Sequence, residues 1–367
     1  MRILLVNANG ADVSAGGAER YTADLAAGLR ERGHDVHLLA AAPPRAETVD
    51  VPTTVLHGSD WRDSLTRRVA NRVADLRADP RQELVRAVAQ SAPDVVHTGT
   101  LPGITTAVWQ VAARANVPVV HTLHDYYLLC ARTTLTRRDG SACRRGAYCS
   151  LRTRRLLRHG RFVSQLIGVS SHIVGAHRTL LANAAPHVVR HPLEPEATTA
   201  PQWPPRTLGY IGRLEREKGV GVLLEAAPAL QAEGVSIRVA GDGSLRADVQ
   251  QAAVEYVGVV HGEEKRRFLE ACDAGVVPSR WLEPGGPPYT LLEWLAAGRP
   301  VLASRRGGLA ETPELFGSVE AFEPEPDALV AAVARLRARA PVDPPRPTAD
   351  RERWLADHER IYELARA

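Results

Sequence analysis

The sequence predicts an α/β protein built from two doubly wound domains, each on a parallel sheet. Short apolar runs alternate with longer amphipathic stretches, which is the pattern of repeated βαβ units. The alternation stops at "HPLEPEATTAPQWPPR" (191–206), whose five prolines fix φ and remove backbone donors, and it restarts afterwards. A length of 367 residues is also too long for one typical domain and suits two.

The elements follow in order. Residues 2–7 read as a strand, 18–32 as a helix and 36–40 as a second strand. "DVVHTG" (94–99), "VPVVHTLH" (117–124) and "QLIGVS" (165–170) each follow a helical or polar segment and complete an N-terminal domain over 1–190. After the linker at 191–206 come "TLGYIG" (207–212), "VSIRVAG" (235–241), "YVGVVHG" (256–262), "AGVVPS" (274–279) and "PVLAS" (300–304), within a second domain over 207–347. A helix is expected from about Tyr289 to Ala297, opened by Pro287 and Pro288 and closed by Gly298. A polar, Pro-rich stretch (341–347) precedes a last segment, 348–367, in which Trp354, Leu355, Ile361 and Leu364 approximate one helical face. Two such domains place a ligand at the carboxyl ends of their strands.

With 44% apolar residues and no low-complexity tract, the composition is that of a globular protein. The apolar run in "MRILLVNANG" is too short for a signal-peptide core, and no stretch approaches the roughly 20 residues that span a bilayer, so a cytoplasmic location is expected. Four cysteines do not make a disulfide scaffold in a chain of this size. Net charge is only +4, but residues 132–161 hold ten arginines and a single acid, Asp139. That segment is either a solvated surface or an anion-attracting patch, with peripheral membrane contact as one use. Nucleic acid is not an expected partner.

Several residues invite chemistry. Gly16 and Gly17 precede a helix, whose N-terminal amides and dipole can face an anion. A G-x-G-x-x-G fingerprint is absent there, which counts against a dinucleotide-dependent oxidoreductase. "GRLEREKG" puts Arg213 and Lys218 on the loop after the second domain's first strand, where two cations can clamp a diphosphate; an exposed helix start with a Glu215–Lys218 pair is the alternative. In "SRWLEPGGPPYTLLEWLAAG", Glu283 and Glu293 flank a Gly- and Pro-rich loop. The amides near Tyr289 and Thr290 can bind phosphate oxygens, Glu293 can accept from ribose hydroxyls, and Glu283 can reach the hydroxyls of a sugar. His97, at a strand end, reads as a ligand contact or a structural residue, and Asp125 as an orienter of His124 or a turn cap. Cys130, Cys143 and Cys149, with His159 nearby, do not follow a common zinc spacing, and no metal is expected.

The motifs "GRLEREKG", "VVHG", "VVPSRWLEP", "LLEWLAAGRPVLAS" and "GGLAE", in that order, together with "SAGGAERY" and "PVVHTLHDYY", resemble the retaining glycosyltransferases of family 4. The resemblance runs over nearly the whole chain. It implies the GT-B fold, with two Rossmann-like domains facing a central cleft and a last helix that crosses back to the N-terminal domain. It also implies metal-independent transfer of a sugar from a nucleotide donor, UDP ahead of GDP, with retention at the anomeric carbon. On these positions Arg213 and Lys218 would hold the diphosphate, Glu293 the ribose, and amides near Tyr289 and Thr290 the distal phosphate. Gly17, with Gly16 before it, would approach the phosphate from the other domain. His124 would line the donor-sugar pocket, and the backbone around Val260 would hold the base. The family places seven residues between its two glutamates and this chain nine, so the usual register falls on Gly285, with Glu283 serving through a longer loop. A small acceptor such as an antibiotic precursor is expected, with a polysaccharide or lipid-linked acceptor as the rival. A nucleotide-sugar-binding protein without transfer is the other alternative.

Overall fold

The computed structural model describes residues 1–367 except 12–15, 44–49, 57–64, 138–140, 197–198 and 342–349. The undescribed residues include Arg138 and Asp139 of the arginine-rich segment and most of the Pro-rich stretch before the last helix. The described chain divides into two units. One comprises Met1–Leu135, Arg144–Arg190 and Glu352–Ala367, and the other Thr136–Cys143 and His191–Arg351.

In chain order the first unit contains β1 (Arg2–Asn7), α1 (Gly17–Glu31), β2 (Asp35–Ala40), β3 (Thr53–Val55), α2 (Leu65–Arg77), α3 (Gln82–Ser91), β4 (Val95–Thr98), α4 (Ala107–Arg114), β5 (Val119–Leu123), α5 (Ala147–Leu157), β6 (Val163–Gly168), α6 (Ser171–His177) and β7 (Ala185–Val188). Its sheet is parallel throughout, in the order β3-β2-β1-β4-β5-β6-β7. The central strands β1, β4 and β5 are buried along nearly their whole length, as continuous apolar runs covered on both faces require.

The second unit contains β8 (Thr207–Ile211), α7 (Val220–Ala232), β9 (Ser236–Ala240), α8 (Arg246–Gln251), β10 (Glu255–Gly258), α9 (Gly262–Glu270), β11 (Ala274–Val277), α10 (Tyr289–Ala296), β12 (Val301–Ser304), α11 (Thr312–Leu315), β13 (Val319–Phe322) and α12 (Pro326–Ala338). Its parallel sheet runs β10-β9-β8-β11-β12-β13. One apolar cluster, with Leu208, Leu223, Val239, Val276 and Val333, packs against α7 and α12; a second gathers Phe268, Leu291, Trp294, Val301 and Phe316. The proline-dense segment is part of this unit. Leu193 is buried in the second cluster, Trp203 packs against the first, and Arg299 donates to the Thr199 carbonyl at 2.6 Å.

The last helix, α13 (Arg351–Arg366), packs on the first unit from Glu352 onward. Trp354, Leu355 and Ile361 are buried, but Leu364 is 47% exposed, which corrects the face read from the sequence. His358 and Tyr362, both fully buried, complete the face instead. Polar groups can occupy it because hydrogen bonds satisfy them there.

Candidate functional site

In both sheets the strand order reverses direction beside the first strand, between β1 and β4 and between β8 and β11, and ligands of such sheets bind outside the strand ends at that point. In the second unit the loops leaving β8 and β11 are therefore neighbours. This brings together residues 65 apart in sequence: Lys218 Nζ donates to Glu283 Oε1 at 2.6 Å. Ser279 Oγ donates to the same oxygen at 2.6 Å, and the ammonium lies 4.9 Å from the centre of the Trp281 ring. The Glu283 side chain is only 6% exposed, whereas 24% of Lys218 is.

Backbone fixes this meeting. After β8 the chain makes a 3-10 turn, Arg216–Lys218, and enters α7 through Gly219 at φ +77°. A Cβ at Gly219 would sit 1.7 Å from the Pro278 carbonyl oxygen, so only glycine lets the two loops approach. The Arg280 and Trp281 amides donate to the Glu217 carbonyl at 2.9 and 3.3 Å. On its far side Gly308 lies directly on the Gly285–Gly286 backbone and Gly307 on that of Leu282–Glu283, and the Gly308 amide donates to the Glu283 carbonyl at 2.7 Å. The glycines thus serve backbone-to-backbone packing that holds Glu283 in place.

Arg213 follows Gly212 at the end of β8; its guanidinium is 62% exposed and 3.6 Å from Glu217. The alternative Glu215–Lys218 pair does not form, because Glu215 accepts from the Ser244 amide and hydroxyl at 3.1 and 2.6 Å. Tyr289 and Thr290 form the first turn of α10 behind Pro288, with the Tyr289 ring 4.3 Å from that of His191. Glu293, one turn further, accepts from Lys265 Nζ of α9 at 2.6 Å. Val260, half-buried, lies on the loop between β10 and α9 and packs against the second apolar cluster.

In the first unit Gly17 is the first residue of α1 and Gly16 precedes it without a side-chain cap. Glu19, in the first turn, is buried and accepts from Asn9 Nδ2 at 2.7 Å. One turn on, the buried Tyr21 ring meets His124 edge-on at 4.5 Å. Tyr21 also bonds His358 Nε2 of α13. His358 Nδ1 lies 2.7 Å from the Trp354 carbonyl, which can only accept, so Nδ1 carries the proton and the Tyr21 hydroxyl donates to Nε2. Burial raises the Tyr21 hydroxyl's pKa and lowers the ring of His358 to about 4.

His97 does not offer itself to a ligand. It is 3% exposed, with Nδ1 2.7 Å from the Tyr362 hydroxyl and Nε2 2.6 Å from the Thr122 hydroxyl, and burial holds its pKa well below the usual value. Asp125 caps a turn, accepting from the Tyr127 amide at 2.8 Å. The arginine-rich segment is not uniformly solvated. Arg152 is buried against Asp75, Arg145 donates to the Leu129 carbonyl and the Thr153 hydroxyl, and Arg158 bonds the Arg77 and Ala78 carbonyls and Asp79. Cys130 is buried, Cys143 and Cys149 are half-buried, and none of the three is in a disulfide. Among the described residues no three His, Cys, Asp or Glu side chains gather as metal ligands, and no helix is long and apolar enough to cross a membrane.

Lys265, Ser279 and Trp281 escaped the sequence reading. Trp281 and Ser279 lay inside a quoted motif beside Glu283 and were detectable from that proximity; Lys265 carried no local signal.

Comparison with known families now assigns the class. Residues 205–339 match the model described as glycosyl transferases group 1, and residues 15–197 the model described as glycosyltransferase family 4. The protein is a glycosyltransferase, and its two parallel-sheet units are those of the GT-B fold. Glycogen synthase of Mycobacterium tuberculosis is 27% identical over 85% of this chain and 80% of its own length. The structure of sucrose-phosphate synthase from Thermosynechococcus elongatus superposes with a TM-score of 0.66 at 18% identity, covering 99% of this chain and 93% of that one. Anabaena HepE in complex with UDP and glucose superposes with a TM-score of 0.60 at 16% identity, covering 99% and 96%.

Proposed function

We propose that this protein is a family 4 enzyme that moves a sugar from a nucleoside-diphosphate sugar, UDP ahead of GDP, to an acceptor hydroxyl, with retention at the anomeric carbon and no metal. The observation that carries the reading is Lys218, held partly open by Glu283 and Trp281 at adjoining strand ends, with Ser279 bracing Glu283. The UDP and glucose found with HepE support a uridine donor.

In this reading the diphosphate lies on Arg213, Lys218 and the first turn of α10, and Glu293 accepts from the ribose. Breaking the sugar–phosphate bond builds positive charge on the ring and negative charge on the β-phosphate, and fixed cations favour that separation. An ammonium has three N–H donors, of which Glu283 takes one, so Lys218 can add phosphate oxygens without leaving its counter-ion. Glu283 then acts on the donor through Lys218, and His124 lines the sugar pocket, held by Tyr21. The acceptor is a specialised metabolite such as an antibiotic precursor; a saccharide acceptor is the second reading, favoured by the relative named glycogen synthase.

Thermal unfolding with UDP, GDP, ADP and NAD, each at millimolar concentration, tests the donor site on the wild type and Glu293→Ala. A ligand at 100 times its dissociation constant stabilises the fold by about 2.7 kcal/mol, a shift of a few degrees. We expect a shift with UDP that shrinks in the variant, followed by turnover of a UDP-sugar. No shift with any nucleoside diphosphate would sink the donor assignment, and binding without turnover would leave a nucleotide-sugar-binding protein.

A further inference from the structure

The arginine-rich segment has no task in sugar transfer as described, and its middle forms α5, which packs beside α2 in the first unit. The two helices are joined underneath by a buried lock. Arg152 of α5 donates through Nε to Asp75 of α2 at 2.8 Å, and Asp75 also accepts from the Tyr127 hydroxyl. Asp75 is the only acid in either helix, against seven arginines, and Arg152 neutralises it.

What the pair turns outward mixes apolar groups with arginines, Arg72, Arg77, Arg154 and Arg155 being exposed. Val69 and Val73, one turn apart on α2, are 49% and 41% exposed, and Leu151 and Tyr148 on α5 are 48% and 38% exposed. Val73 and Leu76 from α2 and Leu151 from α5 floor a shared groove of about 470 Å³, rimmed by Arg77, Arg155 and Arg158. The one acid at that rim, Asp79, is already paired with Arg158 at 2.8 Å. Val73 and Leu151 share that groove, and exposed apolar groups gathered in this way mark a contact surface.

From this we infer that the α2–α5 face docks the protein on an anionic lipid bilayer, with Val69, Val73, Tyr148 and Leu151 entering the headgroup boundary and the arginines meeting lipid phosphates. Aliphatic groups ringed by cations are the composition of helices that lie in such an interface. A second copy of the chain fits the face poorly, because a two-fold contact would set arginines against arginines. A soluble polyanion satisfies the arginines but leaves the valines and Leu151 without a role. The inference does not depend on the donor site.

Sedimentation of the full chain with vesicles tests it, using phosphatidylcholine alone and phosphatidylcholine with about 30% phosphatidylglycerol. We expect at least about tenfold tighter binding to the anionic vesicles, weakening as salt rises. Val73→Ser with Leu151→Ser should weaken it about tenfold or more, and Arg154→Ala with Arg155→Ala about fivefold per arginine, with unfolding midpoints held near wild type. Lys218→Met should bind vesicles like the wild type, which separates this surface from the donor site. Absence of vesicle binding at low salt overturns the inference. So does full vesicle affinity in the serine variant, or equal affinity for a soluble polyanion such as heparin that the serine substitutions leave unchanged.

Discussion

On the loop after β8, Lys218 meets Glu283 with a quarter of its side chain still open to water, whereas near the end of β4 the ring of His97 is sealed among α1, α13 and its own sheet. The strand order is shared, and both places hold titratable side chains at strand ends. In the first unit the His97 ring is hydrogen-bonded through both nitrogens to fixed partners, Tyr362 of α13 and Thr122 of β5, so it fastens the last helix to the sheet. In the second, Lys218 and Glu283 form an ion pair whose ammonium stays partly solvated, as the diphosphate contact proposed above requires. Burial, more than residue type or position along the strand, separates a fastening group from a binding one.

Breaking the open pair should have the largest effect. Lys218→Met is expected to cut turnover by roughly 10²–10³-fold and, by leaving Glu283 buried without its cation, to cost on the order of 3 kcal/mol of stability. Adding Glu283→Gln to that variant should return most of the stability and none of the turnover, as read from urea unfolding and initial rates. If the double variant recovers activity, Lys218 does not act on the donor.

The sealed cluster should respond in stability first. Tyr21→Phe keeps the ring against His124 but strands His358 Nε2, at an expected cost of about 1–3 kcal/mol by urea unfolding. An unchanged midpoint would mean that this bond contributes nothing to holding α13.

Acid sharpens the contrast further. His358 and His177 take up a proton in the folded state only at about pH 4, against an ordinary value of 6.5. Between those values the unfolded chain binds protons that the folded chain does not, so stability falls as the pH is lowered, by about 1.4 kcal/mol per pH unit for each ring. Urea midpoints measured from pH 7 to pH 5 should decline accordingly, and a flat profile would show that the rings can charge in place. The smallest effect belongs to the exposed Arg213–Glu217 pair. Glu217→Gln should change stability by less than about 0.5 kcal/mol.

The sequence made the central strands readable because runs such as "ILLV" and "TLGYI" are buried on both faces and have no polar alternation to confuse them. Both edge strands of the first sheet escaped for the opposite reason. β3 (Thr53–Val55) is exposed throughout, and β7 (Ala185–Val188) carries Pro186 and is largely exposed, so neither shows an apolar run. In the site, Lys218 and Glu283 were visible as motif members, but their pairing was not, since it depends on β8 and β11 being neighbours in space. Lys265 was invisible because an ordinary helix sequence surrounds it and its partner lies 28 residues away. His358 hid among polar residues on a helix whose burial only its hydrogen bonds permit.

The contacts of Gly307 with Leu282–Glu283 and of Gly308 with Gly285–Gly286 are main chain against main chain, with no side chain in between. Side-chain contacts can creep by rotamer changes; a contact of bare peptide units has no such slack, and it either holds or opens. The turn that follows β12 is therefore a gauge for the loop that carries Glu283. The gauge fixes the backbone of Glu283 from behind and so keeps its carboxylate presented to Lys218.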